Sequence, residues 1–241
     1  NYVIRPLDKK RYCIPCAGQF FFYKRFEVKS KRQLVGIELE VIGDRYNSPK
    51  VNTEDWLVKG DGSLSRGGAE ICCNRPLTIK EAKSKLIDLT QRLEEQKITK
   101  DDSCGYHIHL DCSNYSYKDI ENFTKYCVGV QQSVFSLVQE IRRYNSYTKR
   151  LPAVLFDELY TYYRDFVNSN KYYWLNLKAY FMYNTLEIRL HQGTVNKEEI
   201  QNWIDLWSYL LKVVTRRYEK FKNDGDVLES ARKAHVPHSV I

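Results

Sequence analysis

Two stretches of the chain alternate apolar and ionisable residues with a period of two. In Gly36-Ile37-Glu38-Leu39-Glu40-Val41, the carboxylates of Glu38 and Glu40 fall on one side and Ile37, Leu39 and Val41 on the other. In Gly105-Tyr106-His107-Ile108-His109-Leu110-Asp111, His107, His109 and Asp111 share a side opposite Tyr106, Ile108 and Leu110. Period-two alternation predicts half-buried strands, here over residues 34–42 and 105–112. Each presents an apolar face to a core and an ionisable face that a core does not require.

Elsewhere the period is that of a helix. Thr78, with Glu81 in the capping-box position, opens a helix to about Gln96, its stripe made of Leu86, Leu89 and Leu93 with Ile87. Ser116 caps a longer helix to about Arg143, with Ile120, Phe123, Cys127, Val130, Val134, Leu137 and Ile141 on one side. Val154 to Phe166 is a third helix. Asn196, with Glu199 three positions on, caps a last one reaching about Phe221. Residues 1–17 are irregular, and 19–28 have the composition of an edge strand or hairpin arm. Trp56 to Lys59 leads into the turn Gly60-Asp61-Gly62-Ser63, and Ala69-Glu70-Ile71-Cys72-Cys73 forms a short strand, so Asp61 and Glu70 sit on strand ends joined by a glycine-rich loop. Residues 172–177 and 185–190 read as late strands. Without regular βαβ alternation or internal repeats, the expected class is α+β with a mainly antiparallel sheet. The expected division is an extension at 1–30, a catalytic domain at 31–222 and a polar tail at 223–241.

The 241 residues are 43% apolar, enough for a sizeable core. No apolar run reaches the ~18 residues of a membrane span, and no signal peptide is evident. A first residue of Asn1 points to a fragment or processed product, which leaves room for a removed targeting segment. The formal charge of +8 suits phosphates, acidic peptides or nucleic acid. The 19 tyrosines are spread through helices and strands as packing residues, and no recognition motif accompanies them, so nucleic acid is not the expected partner. Seven irregularly placed cysteines do not form a secreted disulfide framework and point to a reducing, cytoplasmic compartment. Cys13 and Cys16 have half of a structural zinc spacing, which His235 and His238 match at the far end; two unrelated thiols are the simpler reading.

The polar strand faces together hold Glu38, Glu40, Asp61, Glu70, His107, His109, Glu187 and Arg189. Five carboxylates gathered in a partly buried cleft repel one another and must take up protons or cations. Mostly oxygen donors with one imidazole suit Mg²⁺ or Mn²⁺ better than zinc, and two such ions would neutralise charge during phosphoryl transfer. Arg189, on the same face as Glu187, suits a phosphoryl group or a substrate carboxylate. Each motif alone is weak, since a Glu-x-Glu strand is commonly a solvated face and a His-x-His strand commonly structural.

As an ordered set, Gly36 to Glu40, Asp61-Gly62-Ser63-Leu64, Gly68-Ala69-Glu70-Ile71, Cys104 to Asp111, Asn176, and Leu186 to Arg189 with Gly193-Thr194 resemble the amidoligase family. The resemblance spans about residues 34 to 210. It implies a glutamine-synthetase-like curved sheet with helices on its outer face. It also implies ATP-dependent amide formation, peptide or isopeptide, through an acyl phosphate, from a carboxylate and an amine that belongs to an amino acid, peptide or protein. By motif, Glu38 and Glu40 would each serve one of two metals. Asp61 and Glu70 would complete the metal facing the amine, and His107 and Glu187 would hold the one orienting ATP. His109 would lie near nucleotide and Arg189 near the transferred phosphoryl group, with Lys59 and Asn176 as substrate contacts. Asp111 receives no role. The chain is much shorter than glutamine synthetase and shows no separate domain to complete a neighbour's site, so that oligomer is not carried over. Two other readings use the same residues: a non-catalytic subunit of this fold, and a metal-dependent hydrolase or nuclease.

Overall fold

The structure is a computed structural model describing residues 2–4, 11–13, 32–43, 49–65, 68–152 and 171–221. A two-stranded antiparallel ladder joins β1 (Tyr2–Ile4) to β2 (Arg11–Cys13), where irregular chain was expected. Three residues on each side are too few for a sequence pattern to register, so the pairing of the two segments decides it. The expected strand at 19–28, the helix at 154–166, and Cys16, His235 and His238 of the possible zinc pairing lie outside the described residues.

The main sheet runs in the order β4 (Trp56–Gly60), β5 (Gly68–Cys73), β3 (Leu34–Ile42), β7 (Gly105–Asp111), β9 (Thr185–Gln192), β8 (Leu175–Asn176). A two-residue β6 (Leu77–Thr78) continues the β5 side of β3 at Leu34 and Val35. Every strand pair is antiparallel. This is a mixed α/β architecture with an open, mostly antiparallel sheet, and the two strands with ionisable faces, β3 and β7, are neighbours at its centre.

Five helices accompany the sheet among the described residues: α1 (Ile79–Glu95), α2 (Tyr117–Ser136), α3 (Glu140–Arg143), α4 (Lys178–Tyr183) and α5 (Lys197–Phe221). α1 starts where Thr78 and Glu81 form a complete capping box, and α2 where Ser116 and Asp119 form another. Replacing either cap by alanine removes about 1 kcal/mol. At α5 only half a box is present. Asn196 Oδ1 accepts from the Glu199 amide, while the Asn196 amide donates to Thr194 Oγ1.

The core lies between the apolar sheet face and α1, α2 and α5. Ile37, Leu39, Tyr106, Ile108, Leu186 and Ile188 meet Leu86 and Leu89 of α1, Phe123 and Val130 of α2, and Trp203 and Trp207 of α5, all buried. Trp207 contacts Trp174, Trp203 and Phe123 with ring centroids 5.4, 5.6 and 6.4 Å away. The Tyr106 hydroxyl donates to the Ile200 carbonyl at 3.1 Å. Ile87, expected in the α1 stripe, is 52% exposed because it lies one position off the Leu86, Leu89, Leu93 line. No helix among the described residues is long and apolar enough to cross a membrane.

Two elements differ from the periodicity. The helix expected to continue to Arg143 stops at Ser136, and the chain turns before α3. Arg143 covers the exposed helix end by donating to Val138 O and Ser136 O, and the Gln139 amide turns to Gln192 Oε1. The break rotates the next turn of chain: Ile141, expected inside, is 46% exposed, and Arg142 is buried instead. The strand expected over 172–177 shrinks to Leu175–Asn176, because Asn176 Oδ1 accepts from the Lys178 amide and starts α4, which ends on Asn184 in the left-handed conformation at φ 58°.

His191, on the core side of β9, stacks edge-on between Tyr106 and Trp203. Burial pushes its pKa down to about 4. The unfolded chain therefore takes up a proton below about pH 6.5 that the folded chain refuses until about pH 4. Stability from this residue is present above pH 6.5 and is lost as pH falls through that window, by about 3 kcal/mol in all. In denaturant titrations between pH 7 and 4, the stability difference between wild type and His191→Gln is expected to narrow on acidification.

Candidate active site

The register of the sheet assembles the ionisable faces. Glu38 stands opposite His107, and His109 opposite Glu187, across the central pairs. Glu40 faces Glu70, Glu70 faces Lys59, and Asn176 faces Glu187. Period-two alternation on six adjacent strands brings these side chains to one face, opposite the core.

Glu38 is the centre of the cluster. Its Oε1 lies 3.1 Å from His109 Nε2 and its Oε2 3.3 Å from His107 Nδ1. His107 is also 3.7 Å from Glu40 Oε1 and 3.8 Å from Glu187 Oε1. The other nitrogen of His109 meets Thr185 Oγ1 at 3.0 Å. Glu187 accepts from Asn176 Nδ2 at 2.5 Å and pairs with Arg189. Glu40 accepts from the Gly105 amide. The contact is close because Gly105 has no side chain. A Cβ there would come within 2.8 Å of Arg142 Nη2, 2.9 Å of His107 Nε2 and 3.1 Å of Glu40 Oε2.

Opposed effects set the charges. Burial works to raise the Glu38 pKa, but hydrogen bonds from His107 and His109 and their charges hold it well below the usual carboxylate range. Glu187 is likewise depressed: burial is outweighed by His109, Arg189 and His107. The His109 pKa is raised, since Glu38 and Glu187 overcome burial. Glu70 is shifted upward by burial and by the charge of Glu38.

These residues line a cleft of about 480 Å³ with Asp61 and Arg189. Glu38, His109 and Glu187 each offer a ligand atom within 4.8 Å of the others, and so do Glu38, Glu70 and Cys72. A divalent cation fits this donor chemistry, with Glu38 common to both groups. The donors differ in part from the expected set of oxygens and one imidazole. His109 is the imidazole of the first group, and the Cys72 thiol, donating to Glu70, adds a softer atom to the second. Asp61 is at the cleft but outside both groups, its Oδ1 accepting from the amide and hydroxyl of Ser63 at 2.8 and 2.7 Å. Lys59 is exposed beside Glu70 and is not among the cleft-lining residues. Asp111 caps the turn at Ser113, away from the cluster.

Arg142 and Cys72 were not anticipated. Cys72 has the period-two signal, two residues after Glu70, but reads as a core thiol. Arg142 had no signal, because helical periodicity placed it outward.

The fold and the cleft define a mixed α/β protein with a cation-suited acid and imidazole centre beside a buried arginine. The chain belongs to the amidoligase family: residues 44–211 match the family model described as "Putative amidoligase enzyme". The matched range leaves out β3, whose Glu38 and Glu40 the sheet register brings among its residues. No curated protein matches the chain.

Two outcomes are expected of this geometry. Gly105→Ala should lose about 1–3 kcal/mol of stability, because Arg142, His107 and Glu40 must all give way, and weaken Mn²⁺ binding, measured by calorimetry. In the metal-free protein, Glu38→Gln should lower the His109 pKa, since the carboxylate that favours the imidazolium is gone; proton NMR titration reads the shift.

Proposed function

We propose that the protein is an ATP-dependent carboxylate–amine ligase with a glutamine-synthetase-like fold, forming an amide through an acyl phosphate. The observation that carries this reading is the sharing of Glu38 between two donor groups, with Arg189 paired to Glu187 in the same cleft. A free carboxylate is a poor acyl donor until one of its oxygens leaves as phosphate. The site must therefore hold phosphate charge and shelter the activated acyl group.

Glu38, His109 and Glu187 would hold one Mg²⁺ or Mn²⁺ ion, on the nucleotide side, and Glu38 with Glu70 a second, with Glu40 and His107 close beside them and Asp61 in the cleft lining. Such ions, when bound, neutralise charge on the phosphoryl group and its leaving oxygen. His109 adjoins Glu187 across β7 and β9, which supports a place for the nucleotide phosphates near Arg189. Arg189 supplies a fixed cation with one buried nitrogen, Nε, that has no hydrogen-bond partner among the described residues. Asn176 orients Glu187 rather than reaching for substrate, because its amide is already donated to that carboxylate. Glu70, which faces Lys59 across β5 and β4, would hold the metal that faces the amine. The acid and amine substrates remain those of the chemical class, a carboxylate and an amine of an amino acid, peptide or protein.

The test is ATP turnover with Mg²⁺ against a panel of acids and amines. ADP and phosphate should appear only when both partners are present, and hydroxylamine should trap the acyl group as a hydroxamate. Glu38→Ala and His107→Ala should abolish metal-dependent nucleotide binding, and Arg189→Ala should lower turnover about 10²–10³-fold. Failure of the wild type to bind metal and nucleotide would sink the reading. Cleavage of peptide or nucleic acid without ATP would replace it with the hydrolase.

A further inference from the structure

We propose that Arg142 is a positioning residue whose guanidinium fills a bulge in β9 and thereby holds Arg189 in the cleft. The pairing of β7 with β9 slips between Tyr106 and Ile108, which face His191 and Ile188 respectively. Two residues, Arg189 and Leu190, therefore occupy the place opposite His107 where a regular ladder has one. A bulge of this kind bends the strand and interrupts its hydrogen bonds. Buried carbonyls so released must find donors. The donors come from one side chain: Arg142 Nε donates to Leu190 O at 3.3 Å and Nη2 to Arg189 O at 2.8 Å.

Three features show that this place is built for the guanidinium. Arg142 is 2% exposed, unusual for an arginine without a carboxylate hydrogen-bonded to it among the described residues. The break after α2 turns it inward in place of Ile141. Gly105 leaves the space that its Nη2 requires, 2.8 Å from where a Cβ would stand. Burial lowers the Arg142 pKa to about 10, with the charge of Glu40 acting to raise it. The residue remains a cation at neutral pH.

Two of the three guanidinium nitrogens are spent on backbone, so Arg142 acts on the strand. The Arg189 side chain leaves the chain one bond from the carbonyl that Arg142 grips. Among the described residues the Arg189 side chain pairs only with Glu187, its Nε being buried without a hydrogen-bond partner, while its backbone amide donates to Trp174 O at 2.7 Å. Without the Arg142 fork the bulge at Arg189 and Leu190 is free to change its bend, and the direction in which the Arg189 side chain leaves the strand changes with it. A lysine would keep the charge but could not span two carbonyls in a fixed fork.

The geometric part of the proposal stands by itself; its consequence for phosphate rests on the ligase reading. The experiment has one arm for each. In ¹⁵N NMR spectra, the Arg189 Nε–H resonance should be protected from exchange in the wild type. In Arg142→Lys and Arg142→Ala it should shift and exchange fast, while β3 amides stay native. In the second arm, binding of Mg²⁺ with a non-hydrolysable ATP analogue should weaken about tenfold or more in Arg142→Ala. It should weaken no further when Arg142→Ala is added to Arg189→Ala, and guanidinium ion should restore it only where Arg189 is present. An unmoved Arg189 resonance in the folded Arg142→Lys protein, or additive losses in the double variant, would overturn the positioning role. Absence of analogue binding by the wild type would count against the ligase reading alone, leaving the resonance to decide the positioning role.

Discussion

Glu38 is held between two imidazoles at the centre of an antiparallel sheet, and most of the site depends on that constraint. A carboxylate buried on a strand costs free energy unless it is hydrogen-bonded and its charge is balanced. His107 and His109, one strand away, meet its two oxygens separately. Their own charges then favour Glu187 as an anion, and Glu187 in turn binds Arg189 and Asn176. The chain of partners crosses β3, β7, β9 and β8, so the site is as rigid as the strands that carry it. The opposite face of the same strands is occupied by Ile37, Leu39, Tyr106, Ile108 and Ile188 in the core. Slipping the register by one residue would send the acids into the tryptophan cluster, which makes the arrangement unique.

The surplus of carboxylates gives this face its chemistry. Glu40, Glu70 and Asp61 add negative charge beside Glu38 and Glu187, and the histidines offset only part of it. Glu70 responds by a raised pKa. Two donor groups on this face share Glu38, and each has donor chemistry that a divalent cation fits. Cys72 gives the second group a softer character than oxygen donors alone would have.

Much of this was legible in the chain. Glu38 and Glu40, His107 and His109, and Glu187 and Arg189 announce themselves by alternation, which needs no tertiary information to put each pair on one face. The capping boxes at Thr78 and Ser116 are local as well. Arg142 was illegible for a physical reason. Helical periodicity runs unbroken from Ser116 through Ile141, and the stop at Ser136 goes with a contact of the Gln139 amide with Gln192, which only the folded chain brings near. The β9 bulge was equally hidden, since one extra residue in a strand leaves no mark on an apolar pattern that resumes on the other side.

The sequence by itself determined the central strands β3, β7 and β9, which face of each is chemical, and which family the chain resembles, because alternation and capping act over a few residues. Only the tertiary structure decided which acid meets which imidazole, that Glu38 serves both donor groups, that Lys59 stays outside the cleft, and that Arg142 enters beneath it. Those facts depend on strand order and register, which are fixed by burying the whole apolar face at once and not by any local stretch.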